Sequence, residues 1–138
     1  MSPQLERMLL RATVGLVALV PILAGAGGIL FGGAMTGASL GDAGLDSHVR
    51  YLSGLLFAIG LGFWSTLPDI ERKGPRFQLL TFLVFAGGLA RLLGVALVGW
   101  PSFPMLGGLG MELAVTPLLC WWQLCFSRRF LAGDGTAS

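Results

Sequence analysis

Four apolar runs, each close to the length that a helix needs to cross a bilayer, leave this chain few folds to choose from. The hydrocarbon core demands about 20 largely apolar residues per helix, and the sequence supplies them at 9–33, 51–67, 77–98 and 108–126. Between the runs lie segments in which helices stop. GASLGDAGLDS follows the first, PDIERKGPR the second and GWPSFPMLGG the third, with Pro68, Pro75, Pro101 and Pro104 as punctuation. Composition excludes a soluble domain. Of the 138 residues only 12% are charged, against about 25% in soluble domains. Hydrophobic residues make up 54% and the mean hydropathy is +0.79, more apolar surface than a chain of this size can hide from water. The expected fold is therefore all-α, a single four-helix transmembrane bundle over residues 1–131, followed by a disordered tail at 132–138.

Lys and Arg orient the spans. Arg7 and Arg11 precede the first span, Arg72, Lys73 and Arg76 follow the second, and Arg128 and Arg129 follow the fourth. The connection after the first span has only Arg50, beside Asp42 and Asp46, and the one after the third has no charge. Seven basic residues thus fall on one side and one on the other, which puts both termini and the central loop in the cytoplasm. Trp100 then sits at the outer interface, and Trp121 and Trp122 near the inner one.

Arg7, Arg11, the first apolar run and the AGAG at 24–27 also fit a secretory signal peptide with a small-residue cleavage site. The run continues to Phe31, longer than such a segment usually is, so it is read as a retained span. An intact-mass measurement separates the two readings, because cleavage would remove the span.

Helices in lipid associate by close packing, which small residues at four-residue spacing permit. Gly28 and Gly32 form such a row in the first span, Gly54, Ala58 and Gly62 in the second, and Ala86, Ala90 and Gly94 in the third. Packing within the chain is the favoured use of these rows; a homo-oligomer face is the other.

The polar residues at membrane depth carry the functional expectation. Arg91 lies eight residues before Gly99, and Glu112 five residues after Gly107. At about 1.5 Å per residue they sit roughly 12 and 8 Å from the same outer surface. An unpaired charge there costs about 2.5–3.5 kcal/mol or more, so the two are expected to pair. At about 100° per residue, Thr116 lies roughly 40° and Gln123 roughly 20° from Glu112, a polar stripe down one face. Gly87, Gly88 and Gly94 leave space around the guanidinium. The second span opens DSHVRYLSG, where Asp46 or Ser47 suits an N-cap. His48, Arg50 and Tyr51 follow at the same outer level. His48 and Tyr51 are about 60° apart, but Arg50 is about 160° from His48, so one helix cannot aim both at one point. The candidate polar cluster is thus Arg91, Glu112, Thr116, His48, Arg50 and Tyr51. An intramembrane ionisable pair suggests a functional site, while a buried salt bridge that fixes helix register is the competing reading.

Other features are read as structural. Cys120 and Cys125 are five apart and point to different sides of a helix, which suits small apolar residues better than a redox or metal pair. A single His gives no metal set, and no cofactor motif is recognisable. PDIERKGPRF reads as a charged cytoplasmic anchor. MTGASLGDAGLDS is glycine-rich but lacks the strand–helix context of a phosphate loop. Nothing points to nucleic acid.

SHVRYLSGLLFAIGLGFWSTLPDIE, LLTFLVFAGGLARLLGVALVGWPS and GMELAVTPLLCWWQ resemble the bacterial membrane-protein family known as domain of unknown function 4345. The likeness covers roughly residues 10–128. It implies a small four-helix membrane protein and supplies no activity; a bacterial inner membrane is the expected location. His48, Arg50, Tyr51, Ser53, Arg91, Glu112, Thr116 and Pro117 match the family's motifs. Three functions stay open at this point. Ranked first is a non-enzymatic module that binds a lipid or lipophilic small molecule, or serves as an accessory subunit to a membrane-protein partner. Second is a membrane enzyme acting on a lipophilic substrate, with Glu112 as acid/base, Arg91 as stabiliser and His48 or Tyr51 as proton donor. Third is a proton-coupled transporter, ranked last because the seven-to-one charge asymmetry is unlike dual-topology exporters.

Overall fold

A computed structural model describes residues 2–36 and 42–134. Helix is the only extended secondary structure among them. The elements are α1 (Pro3–Phe31), α2 (Ala43–Trp64), α3 (Gly74–Val98), α4 (Phe103–Gly110) and α5 (Thr116–Asp134). Short 3-10 turns cover Gly32–Thr36 and Leu67–Asp69, and a π turn, Met111–Val115, joins α4 to α5 without a break. Four stretches are long and apolar enough to cross a membrane: Pro3–Met35, Ala43–Asp69, Gly74–Val98 and Phe103–Gly133. They outrun the apolar windows because helix continues through the polar flanks. Helix α5 runs on through Asp134, into the segment expected to be a disordered tail; residues 135–138, like residues 37–41 of GASLGDAGLDS, lie outside the described residues. Only 11% to 22% of the most apolar window in each stretch is buried within the protein. Side chains such as Phe82, Leu97 and Val98 point outward, an arrangement suited to lipid and not to water. The chain is an all-α, multi-pass membrane protein.

The chain forms two compact units, residues 11–68 and residues 2–10 with 69–134. In the first, α1 and α2 approach until their backbones touch. A Cβ on Gly25 would lie 2.6 Å from the Phe57 nitrogen and 2.7 Å from the Ser53 oxygen, and one on Gly60 3.1 Å from the Ile22 nitrogen. Gly28 receives the Ser53 side chain. The contact rows are thus Ala18, Gly25 and Gly28 against Ser53, Phe57 and Gly60. Both members of the row expected in the first span meet α2, Gly28 at Ser53 and Gly32 at the Asp46 and Arg50 side chains, whereas Gly54 has open space around it. Ala18/Gly25 and Ser53/Gly60 are spaced by seven, the repeat of left-handed coiled packing, which a search at four-residue spacing misses. Trp64 Nε1 donates to the Gly15 carbonyl at 3.0 Å, and Arg11 donates to the Pro68 carbonyl.

Arg50 and Asp46 close the other end of this unit. Gly32 terminates α1 with φ +55°, a left-handed conformation that glycine alone adopts without cost. Asp46 Oδ1 accepts from the Gly33 N–H at 2.9 Å, and Arg50 Nε donates to Asp46 Oδ2 at 2.8 Å. Arg50 Nη1 also donates to the carbonyls of Ile29 and Leu30, the unsatisfied acceptors at a helix end. Asp42 caps α2, accepting from the Leu45 N–H at 3.0 Å, one turn before the Asp46 or Ser47 expected from sequence.

In the second unit α3 packs on α5 and on the π turn. Its buried residues, Gly74, Phe77, Thr81 and Gly88, again follow a seven-residue repeat. Ala86 and Ala90, expected as a packing row with Gly94, face outward.

Candidate functional site

Pro117 explains the π turn. It has no N–H to donate to the Leu113 carbonyl, and a proline ring crowds the carbonyl four residues back. The helix answers by widening: the Thr116 N–H reaches the Met111 carbonyl five residues earlier, and the Thr116 hydroxyl donates to the same oxygen at 2.8 Å. Glu112 lies within the widened turn. The extra residue also shifts everything beyond it by about 100° around the axis. The expected stripe of Glu112, Thr116 and Gln123 is therefore broken. Gln123 is fully buried and donates to the Ile70 carbonyl at 2.7 Å.

Arg91 meets Glu112 side-on and bidentate. Nε donates to Oε2 at 3.0 Å and Nη2 to Oε1 at 3.0 Å, the planar fork that arginine offers a carboxylate. Gly88, one turn before Arg91, makes the approach possible. A Cβ there would lie 2.7 Å from Leu113 Cδ2 and 2.9 Å from Glu112 Cβ. Gly87 and Gly94 have nothing within 4 Å of that position, so Gly88 alone of the three supports the helix contact. Arg91 lies seven residues before the end of α3 and Glu112 nine residues after the start of α4, roughly 10 and 13 Å from their helix ends. The depths still match, although α4 starts four residues before Gly107, where the sequence was read to enter.

The guanidinium is not closed off by this pair. The Arg91 side chain keeps 37% of its surface exposed against 17% for Glu112, and its Nη1 makes no hydrogen bond among the described residues. Arg91 also lines an open groove of about 380 Å³, whose walls include Gly94, Val95, Val98, Trp100 and Pro101. Glu112 is not part of that lining.

The remaining sequence candidates lie elsewhere. Thr116 is buried and serves the π turn. His48, Arg50 and Tyr51 belong to the other unit. There Arg50 is occupied at the end of α1, while His48 and Tyr51 are exposed and bond to no described side chain or backbone. The angular conflict between His48 and Arg50 is thus resolved: the arginine turns to α1 and the histidine faces outward.

A second polar cluster escaped the sequence reading. At the far end of α5, Arg7 grips Glu71 through Nε at 3.0 Å and through its second arm. The Ser127 hydroxyl donates to the Glu71 carbonyl. Glu6 accepts from Arg129 at 2.6 Å and from Trp122 Nε1 at 3.1 Å. Both carboxylates are buried. PDIERKGPRF is therefore more than a charged anchor, since its Glu71 ties the first turns of α1 to the start of α3 and the end of α5. The available signal was a glutamate beside an arginine at both 6–7 and 71–72, on the strongly basic side of the chain.

These features define a multi-pass membrane protein with two ion-paired clusters, one of which borders a groove. The chain belongs to the family described as Domain of unknown function (DUF4345), which matches residues 9–123. No curated protein and no solved structure matches it.

Proposed function

We propose that this protein is a non-enzymatic inner-membrane module, with both termini cytoplasmic, that holds a lipophilic small molecule or lipid at Arg91. One observation carries the reading: an arginine at membrane depth, paired with Glu112 through Nε and Nη2 and with no partner for Nη1 among the described residues, lines an apolar groove. A buried donor is costly without a partner, and lipid tails supply none, so Nη1 calls for a polar atom on whatever fills the groove. The seven-to-one distribution of basic residues supports the orientation. An enzyme using Glu112 as acid or base would need that carboxylate at the groove wall, and Arg91 stands there instead.

Gly94→Leu tests the reading. Gly94 lines the groove and a Cβ added there has no atom within 4 Å, so the leucine can enter the groove without displacing the backbone contact at Gly88. Native mass spectrometry of protein purified in mild detergent is expected to find a lipophile on the wild type and none on Gly94→Leu. Equal occupancy of both, or of neither, would count against it.

A further inference from the structure

The free edge of Arg91 also dictates what kind of polar atom it accepts. This step rests on the reading of the groove as a ligand site. The ion pair with Glu112 is bidentate and leaves the site with no net charge. Among the described residues no other charged side chain lines the groove. A ligand carrying a full negative charge would therefore bring an unbalanced anion into an apolar setting, close to a carboxylate already on the same guanidinium. Both the loss of hydration and the like-charge contact oppose it. An uncharged oxygen acceptor meets neither penalty, yet still gains a charge-assisted hydrogen bond from Nη1. The walls formed by Val95, Val98, Trp100 and Pro101 offer no polar side chain apart from the Trp100 indole N–H, so the rest of the ligand must be apolar.

We infer that the groove at Arg91 takes a neutral lipophile that presents an uncharged carbonyl oxygen, such as a long-chain ketone or ester, and discriminates against lipophilic anions. Glu112 is the source of that selectivity, because it pre-empts the positive charge that would otherwise recruit an anion. The oxygen could come from a free lipophile or from an ester of the surrounding lipid.

The probe set is a long-chain methyl ketone, the alkyl sulfonate of equal length and the alkane of equal length, each added to the full-length protein in alkyl maltoside micelles. The signal is Trp100 fluorescence, taken as the difference between the wild type and Trp100→Phe. The ketone is expected to give a saturable change, with the sulfonate and the alkane at least about tenfold weaker, the scale of one charge-assisted hydrogen bond. Gly94→Leu is expected to abolish the response without altering the melting temperature. In bilayers, a diacyl ester lipid that competes with the ketone, where its diether analogue does not, would assign the oxygen to the membrane itself. Competition by neither would assign it to a free lipophile. Sulfonate binding as tight as the ketone, or alkane binding as tight, would overturn the inference and leave the groove a ligand site. Saturable binding of none of the three, or a ketone response that persists in Gly94→Leu, would overturn both.

Discussion

The two ion-paired clusters of the second unit use the same residue types to opposite ends. At Glu6 and Glu71 each buried carboxylate is enclosed by an arginine and further polar or aromatic groups, Trp122 beside Glu6 and Ser127 at the Glu71 backbone, while the Arg7 guanidinium lies 6.0 Å from the centre of the Phe130 ring. These contacts join three chain segments, with Arg7 paired through Nε and Nη2 as Arg91 is. At Arg91 and Glu112 a single bidentate pair joins two helices, and a glycine-lined gap keeps one edge of the guanidinium accessible. Burial of charge is thus no sign of function by itself. What separates the two clusters is their setting: one joins three chain segments, and the other borders an apolar groove.

Removing one partner should expose that contrast. Arg7→Ala strands Glu71, whose side chain is 4% exposed, and an uncompensated buried charge costs about 3–5 kcal/mol. We expect failure to accumulate or a large drop in melting temperature in detergent. Arg91→Ala strands the more accessible Glu112 and should cost less, about 2–3 kcal/mol. Replacing both Arg91 and Glu112 with leucine should restore stability to within about 1 kcal/mol of the wild type, while eliminating ligand retention. Stability that stays low in the double variant would mean that the pair fastens the fold and the contrast fails.

A subtler pair of variants probes the helix contact under the site. Gly88→Ala should cost about 1–3 kcal/mol, because the added methyl meets Leu113 and Glu112. Gly87→Ala, one residue away, should change stability by no more than about 0.5 kcal/mol. Thermal melts of the two side by side check the register of α3 directly; equal effects would contradict it.

Much of this was legible in the sequence, and the misses have physical causes. Four spans follow from length and hydropathy, which no local conformational detail can overturn. The Arg91–Glu112 contact is readable because two opposite charges stand at matching distances from one short connection. The packing rows are not, because glycine and alanine are so frequent that several spacings compete, and only the structure shows that Gly25, Gly60 and Gly88 bear the close approaches. Gln123 was misplaced by an assumption of constant helical phase, which Pro117 breaks. Glu71 was overlooked because an acidic residue among basic ones reads as part of a solvated loop until the first turns of α1 are brought beside it.

The open edge of Arg91 can be examined at atomic resolution by solid-state NMR in bilayers. The experiment uses 15N-arginine protein and a long-chain methyl ketone labelled with 13C at the carbonyl. A dipolar contact at about 4 Å between that carbon and an Arg91 side-chain nitrogen, consistent with a hydrogen bond to the oxygen, and its loss in Gly94→Leu, is the expected result. A ketone that reaches saturation without approaching Arg91, or that approaches it equally in Gly94→Leu, would contradict the assignment of this arginine as the ligand's anchor.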